Sequence, residues 1–318
     1  MASSKLRTIN STHILYGILI LLFVTFSILS RDFLSAYNIT SMLANIAYTG
    51  ILTGSMALLM ISGCIDLSVG GAIGLITSIM ALLHNLTPPL PTWLILIIGL
   101  GSGVAFGTLN GLLVTRLRLN SIIVTLGTLS IAQGLAYVLT GGISVQMLEP
   151  VTAFIGLGNI LRVPTAFLIF ALFYAGIGIL LARSKLGRKV YYIGLNERAA
   201  NLAGVNIAGT RLWLFVISGF AVGLSSLILI GQSGVGMPQL GTGSEMEAIT
   251  AALLGGVAFA GGKGTIPGIL AGGLIIGVLY TGFTIIGVQW VQIQFFQGII
   301  LVLVVALYES RLTKGRRY

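Results

Sequence analysis

Apolar residues run along this chain in long blocks, separated by short stretches of polar residues and glycine. Residues 13–27 read HILYGILILLFVTFS and residues 293–308 read IQFFQGIILVLVVALY. With their flanks, such blocks reach the roughly 20 residues that a helix needs to cross a hydrocarbon core. Ten of them can be placed, at 12–30, 40–62, 67–84, 92–115, 120–140, 164–182, 212–232, 246–262, 265–287 and 290–308. The pattern predicts an all-α, polytopic membrane helical bundle of about ten transmembrane helices. Residues 12–308 are expected to form one transmembrane domain between an N-terminal tail, 1–11, and a C-terminal tail, 309–318. The first block has a basic flank but no small-residue cleavage site after it, so an uncleaved helix is expected there.

Composition agrees, with 56% hydrophobic residues, 8% charged residues and a mean hydropathy of +1.05. Charge then orients the chain. Lysine and arginine are retained on the cytoplasmic side of short loops. With the N-terminus inside, 15 of the 17 basic residues fall in cytoplasmic segments and only Arg31 and Arg162 lie outside. Both termini are therefore expected in the cytoplasm. The same count explains the net charge of +10 without a nucleic-acid partner. No basic stripe interleaved with aromatics occurs outside these loop ends, so membrane lipid is the expected surrounding and nucleic acid is not.

Little in the chain resembles catalytic machinery. Cys64 is the only cysteine, and His13 and His84 are far apart, so neither a disulfide within the chain nor a metal site is expected. No catalytic residues can be assembled from paired carboxylates or a base-activated nucleophile. The run Gly261-Gly262-Lys263-Gly264 imitates part of a phosphate-binding loop, but Val257 stands at the first glycine position and Gly264 where a hydroxyl is required. Lys263 is better read as a basic anchor at a tight turn, and nucleotide hydrolysis is expected on another chain. Many of the 44 glycines lie inside the apolar blocks. Gly264, Gly268 and Gly272, with Gly273 and Gly277, recur at four-residue spacing and predict a close helix contact.

Two stretches carry more specific expectations. In SGCIDLSVGG, residues 62–71, Asp66 is one of only 7 acidic residues in the chain. Gly63, Gly70 and Gly71 around it read as a break between two spans, with Asp66 or Ser68 capping the next helix. A proton or cation relay through Asp66 is the alternative, and it would favour a coupled secondary transporter. The second stretch is the polar loop 183–211. Asn196 is a good N-cap, Glu197 suits the positive end of a first turn, and Arg198, Ala199, Ala200, Leu202 and Ala203 are compatible with a helix that Gly204 would stop. A two-turn helix with small residues on one face is suited to another protein's groove, though an ordinary connector would look similar. For the translocation path, the polar residues within spans, Asn45, Thr49, Thr125, Thr128 and Gln133, are the candidates, and helix-backbone pairing explains them equally well.

Four blocks taken together make the chain recognisable: SGCIDLSVGGAIGL, NGLLVTRLRLNSIIVTLGTLSIAQGLAYVLTGG, LGRKVYYIGLNERAANLAGVNI and EAITAALLGGVAFAGGKGTIPGILAGGLIIGVL. In order, and over about residues 33–308, the chain resembles the permease subunits of bacterial ABC importers for ribose, xylose, arabinose, galactose and related compounds. The resemblance implies a multi-pass protein of the bacterial cytoplasmic membrane that works beside a second permease chain, expected to be identical. It implies an ABC ATPase with two nucleotide-binding halves, which would hold ATP and Mg, and an external substrate-binding protein. It also implies that residues 196–204 form the coupling helix that meets the ATPase, and that this chain carries no cofactor of its own. Cys64 departs from the family, which usually has glycine there, so a left-handed backbone at that position is not expected.

Overall fold

The protein is described by a computed structural model that covers residues 11–315. Thirteen α-helices are described: α1 (Ser11–Leu29), α2 (Ala36–Ile61), α3 (Val69–His84), α4 (Thr92–Thr115), α5 (Ser121–Thr140), α6 (Pro150–Leu157), α7 (Thr165–Arg183), α8 (Lys185–Leu195), α9 (Glu197–Leu202), α10 (Ile207–Ser233), α11 (Ser244–Leu254), α12 (Ile266–Ile285) and α13 (Trp290–Gly315). Their starts follow from local chemistry. The side chains of Ser35, Asn120, Ser184, Asn196, Asn206 and Thr265 each accept a hydrogen bond from a backbone N–H in the first turn of the helix that follows. Left-handed glycines end two of the long helices, Gly141 after α5 and Gly234 after α10. Strand content among the described residues is limited to two-residue pairs. One of them, Val145–Gln146 against Val235–Gly236, ties the α5–α6 connection to the far end of α10.

Seven helices among the described residues are long and apolar enough to cross a membrane: α1 from Thr12, α2, α4, α5, α7, α10 and α12. Burial sorts them into layers. The most apolar part of α2 is 89% buried and that of α10 72%, whereas α1 is 6% and α4 22% buried. α2 and α10 therefore form the centre, with α3, α11 and α12 against them. α1, α4, α5 and α7 turn apolar faces outward, as at Ile123, Val138 and Leu172. In lipid those faces need no protein cover.

The segment expected as a full span at 246–262 is different. α11 has only 11 residues, about 16 Å of rise, roughly half the hydrocarbon thickness. Gly255 and Gly256 end it, the latter at φ +81°, and a glycine turn at Gly261 and Gly262 leads back toward α12. The apolar composition continues past the helix because Val257 and Ala258, beyond its end, are buried in the core. α3, with 16 residues, and the apolar stretch Val291–Leu303 of α13 are also shorter than the seven.

Glycine sets the closest approaches. The expected contact on α12 is present: a Cβ at Gly272 would fall 2.7 Å from the backbone N of Gly255, and one at Gly273 3.8 Å from Cα of Gly50. A second seam joins α4 to α10. A Cβ at Gly107 would lie 2.7 Å from Cα of Gly219, and one at Gly103 2.9 Å from Cα of Gly223, so the two backbones meet with no side chain between them.

Candidate functional site

The break between α2 and α3 is built from a helix stop, an aspartate and a serine. Gly63 has φ +81°, its N–H bonds to Met60 O at 2.9 Å, and the Cys64 N–H bonds back to Leu59 O at 3.0 Å. These are the closing bonds of a left-handed glycine cap. The left-handed residue is Gly63, and Cys64 is not among the residues with positive φ, as expected for a cysteine. Asp66 Oδ1 then accepts the Ser68 N–H at 3.0 Å and the Ser68 hydroxyl, while Oδ2 accepts the Ser218 hydroxyl of α10 at 3.0 Å. Asn110 Nδ2, from α4, donates to Ser68 Oγ at 2.8 Å. Ser68 occupies the position before α3, but its hydroxyl bonds to Asp66 and makes no cap bond of its own. All four residues are at most 2% exposed. The result is a buried polar cluster that joins α4, the break and α10. Gly70 lies within the first turn of α3, where the Glu245 carboxylate and the Gly241 carbonyl leave no room for a Cβ.

The predicted short helix is present in the polar loop. Asn196 Oδ1 accepts the Ala199 N–H at 3.0 Å, α9 follows, and Gly204 at φ +76° stops it, with the Val205 N–H bonded to Ala200 O at 3.0 Å. Its orientation separates the nominated residues. Ala200 is 4% exposed and packs against its own chain, whereas Leu202 is 85% exposed and Arg198, Ala199 and Ala203 are also at the surface. Ala200 is therefore not available to a partner, and Leu202 is the apolar side chain that α9 presents. α8, which precedes it, is an amphipathic helix that buries Val190 and Ile193. Its Tyr191 hydroxyl donates to Gly264 O at 2.8 Å, and burial pushes that phenol above its ordinary pKa.

The two stretches meet at one end of the bundle. The Gly262 N–H bonds to Ile61 O at 2.8 Å, and Gly194 of α8 packs so tightly on both that a Cβ has no space. Beside them a cavity of about 930 Å³ opens between Cys64, Val114, Arg118 and Ser121 on one wall and Glu197, Asn201, Asn206 and Arg211 on the other.

None of the nominated path residues lines the cavity beside Arg211. Thr49 bonds to its own helix at Asn45 O and Ile46 O, Thr125 to Ser121 O and Thr128 to Thr125 O. Thr125 is fully buried and Thr128 nearly so, while Asn45 and Gln133 are half-buried. Residues that the sequence did not single out complete the site: Asn110 and Ser218 at Asp66, and Arg211 at α9. Asn110 alone carried a usable signal, as an amide inside an apolar block. Among the described residues no group of three or more His, Cys, Asp or Glu side chains could hold a metal ion.

The family of the branched-chain amino acid transport system / permease component matches residues 38–305. The ribose import permease protein RbsC of Bacillus subtilis is 32% identical over 293 residues, 91% of this chain and 90% of that protein. The L-arabinose transport system permease protein AraH of Escherichia coli is 31% identical over 305 residues, 95% and 92% of the two chains. The L-arabinose ABC transporter permease protein AraH of Azospirillum brasilense is 29% identical, over 94% and 88%. No solved structure matches.

Proposed function

The chain belongs to the branched-chain amino acid transport system / permease component family, and we propose that it is the permease of an ATP-driven importer for a monosaccharide or sugar-like solute. The family description names amino acids. The observation that carries the sugar reading is the near full-length identity, 32% and 31%, to a ribose and an arabinose permease. The chain is a multi-pass protein of the bacterial cytoplasmic membrane and works as a transport subunit.

ATP and Mg are held on a partner ABC ATPase with two nucleotide-binding halves, an external binding protein delivers the solute, and a second copy of this chain completes the membrane unit. Both termini and the α8–α9 loop face the cytoplasm, where 15 of the 17 basic residues then lie. α9 is the coupling helix, and exposed Leu202 with Ala199 and Ala203 is the surface that enters the ATPase groove. The bonding of Asp66 supports a structural part: both carboxylate oxygens accept hydrogen bonds, Oδ1 from Ser68 beside it and Oδ2 from Ser218 of α10, in a fully buried site.

The test is uptake and substrate-stimulated ATP hydrolysis in vesicles reconstituted with all partner chains. Leu202→Glu puts a charge into the core of the docking surface and is expected to prevent ATPase binding while the chain still inserts. Normal coupled uptake by that variant removes the role of α9. Uptake by this chain without any ATPase replaces the importer with a secondary transporter.

A further inference from the structure

One helix face holds both ends of the α2–α3 break. Arg211 and Ser218 lie seven residues apart on α10, two turns, and so share a side of the helix. Ser218 grips the far end of the break through Asp66 Oδ2 at 3.0 Å. Arg211 grips the near end, where Nη2 donates to Ser62 O at 3.2 Å. The same guanidinium also holds α9: Nη1 donates to Glu197 Oε1 at 3.0 Å and Nη2 to Oε2 at 2.7 Å. Glu197 is the first residue of α9 and its side chain is 56% exposed, against 17% for Arg211. The pair therefore runs from the protein surface inward to the carbonyl that closes α2.

We propose that Arg211 is the positioning residue that ties the setting of α9 to the geometry of the α2–α3 break, and through it to the buried cluster around Asp66. The inference rests on the reading of α9 as the coupling helix. Its physical basis is the shape of the guanidinium, a rigid planar fork whose donors cannot be re-aimed one at a time. With two N–H groups committed to the Glu197 carboxylate, the position of α9 decides whether Nη2 also reaches Ser62 O. A shift of α9 by about an ångström lengthens one of these bonds beyond useful range. Ser62 precedes Gly63, the left-handed point where the chain leaves α2, so a carbonyl released there has a ready axis of rotation. The cavity of about 930 Å³ beside Arg211 gives α9 room for that shift. A lysine at 211 would replace the rigid fork with rotatable donors on a flexible stem, so its contacts to Glu197 and Ser62 could be re-aimed one at a time and the link between them would be lost.

Cys64, the chain's only cysteine, reports on this link, since it lies in the break, lines the cavity and is 3% exposed. In the complete reconstituted transporter, maleimide labelling of Cys64 is measured with and without ATP, alongside uptake per ATP hydrolysed. The wild type is expected to label at rates that differ about tenfold between the two states, the scale set by making or losing a charge-assisted hydrogen bond. Arg211→Gln and Arg211→Lys are expected to bind the ATPase, to reduce that difference to less than about twofold, and to lower uptake per ATP by about tenfold. Equal Cys64 labelling in both states of the wild type overturns the proposal, and so does an Arg211→Gln complex that keeps the difference and couples normally. Should Arg211→Gln fail to assemble, Glu197→Gln, altered at the exposed end of the pair, decides by the same two readings. Failure of the coupling-helix reading is separate, because it shows as normal ATPase binding by Leu202→Glu.

Discussion

Replacing Asp66 by leucine tests whether the carboxylate is structural, because leucine keeps the branching at the γ carbon in a larger side chain and removes every acceptor. Asp66 is 2% exposed and accepts from the Ser68 N–H, the Ser68 hydroxyl and the Ser218 hydroxyl. A buried polar group left without its partner costs about 1–3 kcal/mol, and the two serine hydroxyls can rotate toward other acceptors whereas the backbone N–H cannot. With a further cost of about 1–3 kcal/mol for forcing the larger side chain into a packed site, Asp66→Leu is expected to destabilise the chain by about 3–5 kcal/mol. Asp66→Asn keeps one acceptor oxygen for the Ser68 N–H and loses the charge, a cost of about 1–2 kcal/mol, and Ser218→Ala removes one donor at a similar cost. At about 2 °C per kcal/mol for a large domain, the leucine variant should melt roughly 6–10 °C below wild type and the other two about 2–4 °C below. Thermal unfolding of the purified chain in lipid nanodiscs, followed by tryptophan fluorescence, reads the order directly. Partial uptake by Asp66→Asn should survive in the assembled transporter. The reasoning is refuted if Asp66→Leu melts with the wild type. It is equally refuted if Asp66→Asn abolishes uptake in an intact complex while an uncoupler stops wild-type uptake with ATP maintained, since that is the signature of a proton relay.

Cys64 should react slowly with alkylating reagents in the isolated folded chain and quickly after denaturation, because it is buried and burial pushes its thiol pKa up, leaving little thiolate at neutral pH; mass spectrometry of the alkylated protein reads the difference. Gly219→Leu should prevent α4 and α10 from meeting at Gly103 and Gly107 and cost more than the 1–3 kcal/mol typical of overpacking, since the obstructing atoms are backbone; a soluble, monodisperse variant melting with the wild type would count against the seam. In a Cys64→Ser background, Arg188→Cys should be protected from an impermeant external thiol reagent and Gln146→Cys should be labelled, and the reverse pattern would invert the proposed orientation.

What could be read from the chain beforehand was what neighbouring residues decide among themselves. Among the described residues, long apolar runs marked the seven helices that are long and apolar enough to cross a membrane, because a helix crossing lipid must be apolar along its length, whatever it packs against. Asn196 and Gly204 marked the ends of α9 because a cap needs only residues within one turn. Asp66 marked the break in a similarly local way, since its bond to the Ser68 N–H spans two residues, although that N–H precedes α3 and neither Asp66 nor Ser68 makes the expected cap bond to the first turn of that helix. Where the prediction departed from the structure, the deciding partner is distant in sequence. α11 stops at Gly255 because the chain there packs against Gly268 and Gly272 of α12, and an apolar run looks alike whether it crosses lipid or turns inside protein. The inward face of α9 was hidden because a two-turn helix rich in alanine has no amphipathic contrast to orient it. Arg211 was hidden most completely. On the sequence it is one more basic residue at a loop end, and the positive-inside rule already explains its presence. That rule concerns only which side of the membrane holds the charge. It says nothing of Ser62, 149 positions earlier, whose carbonyl the same guanidinium holds. A residue that satisfies a general rule can thus carry a specific contact at no visible cost in the sequence, and here that contact joins the surface helix to the buried break.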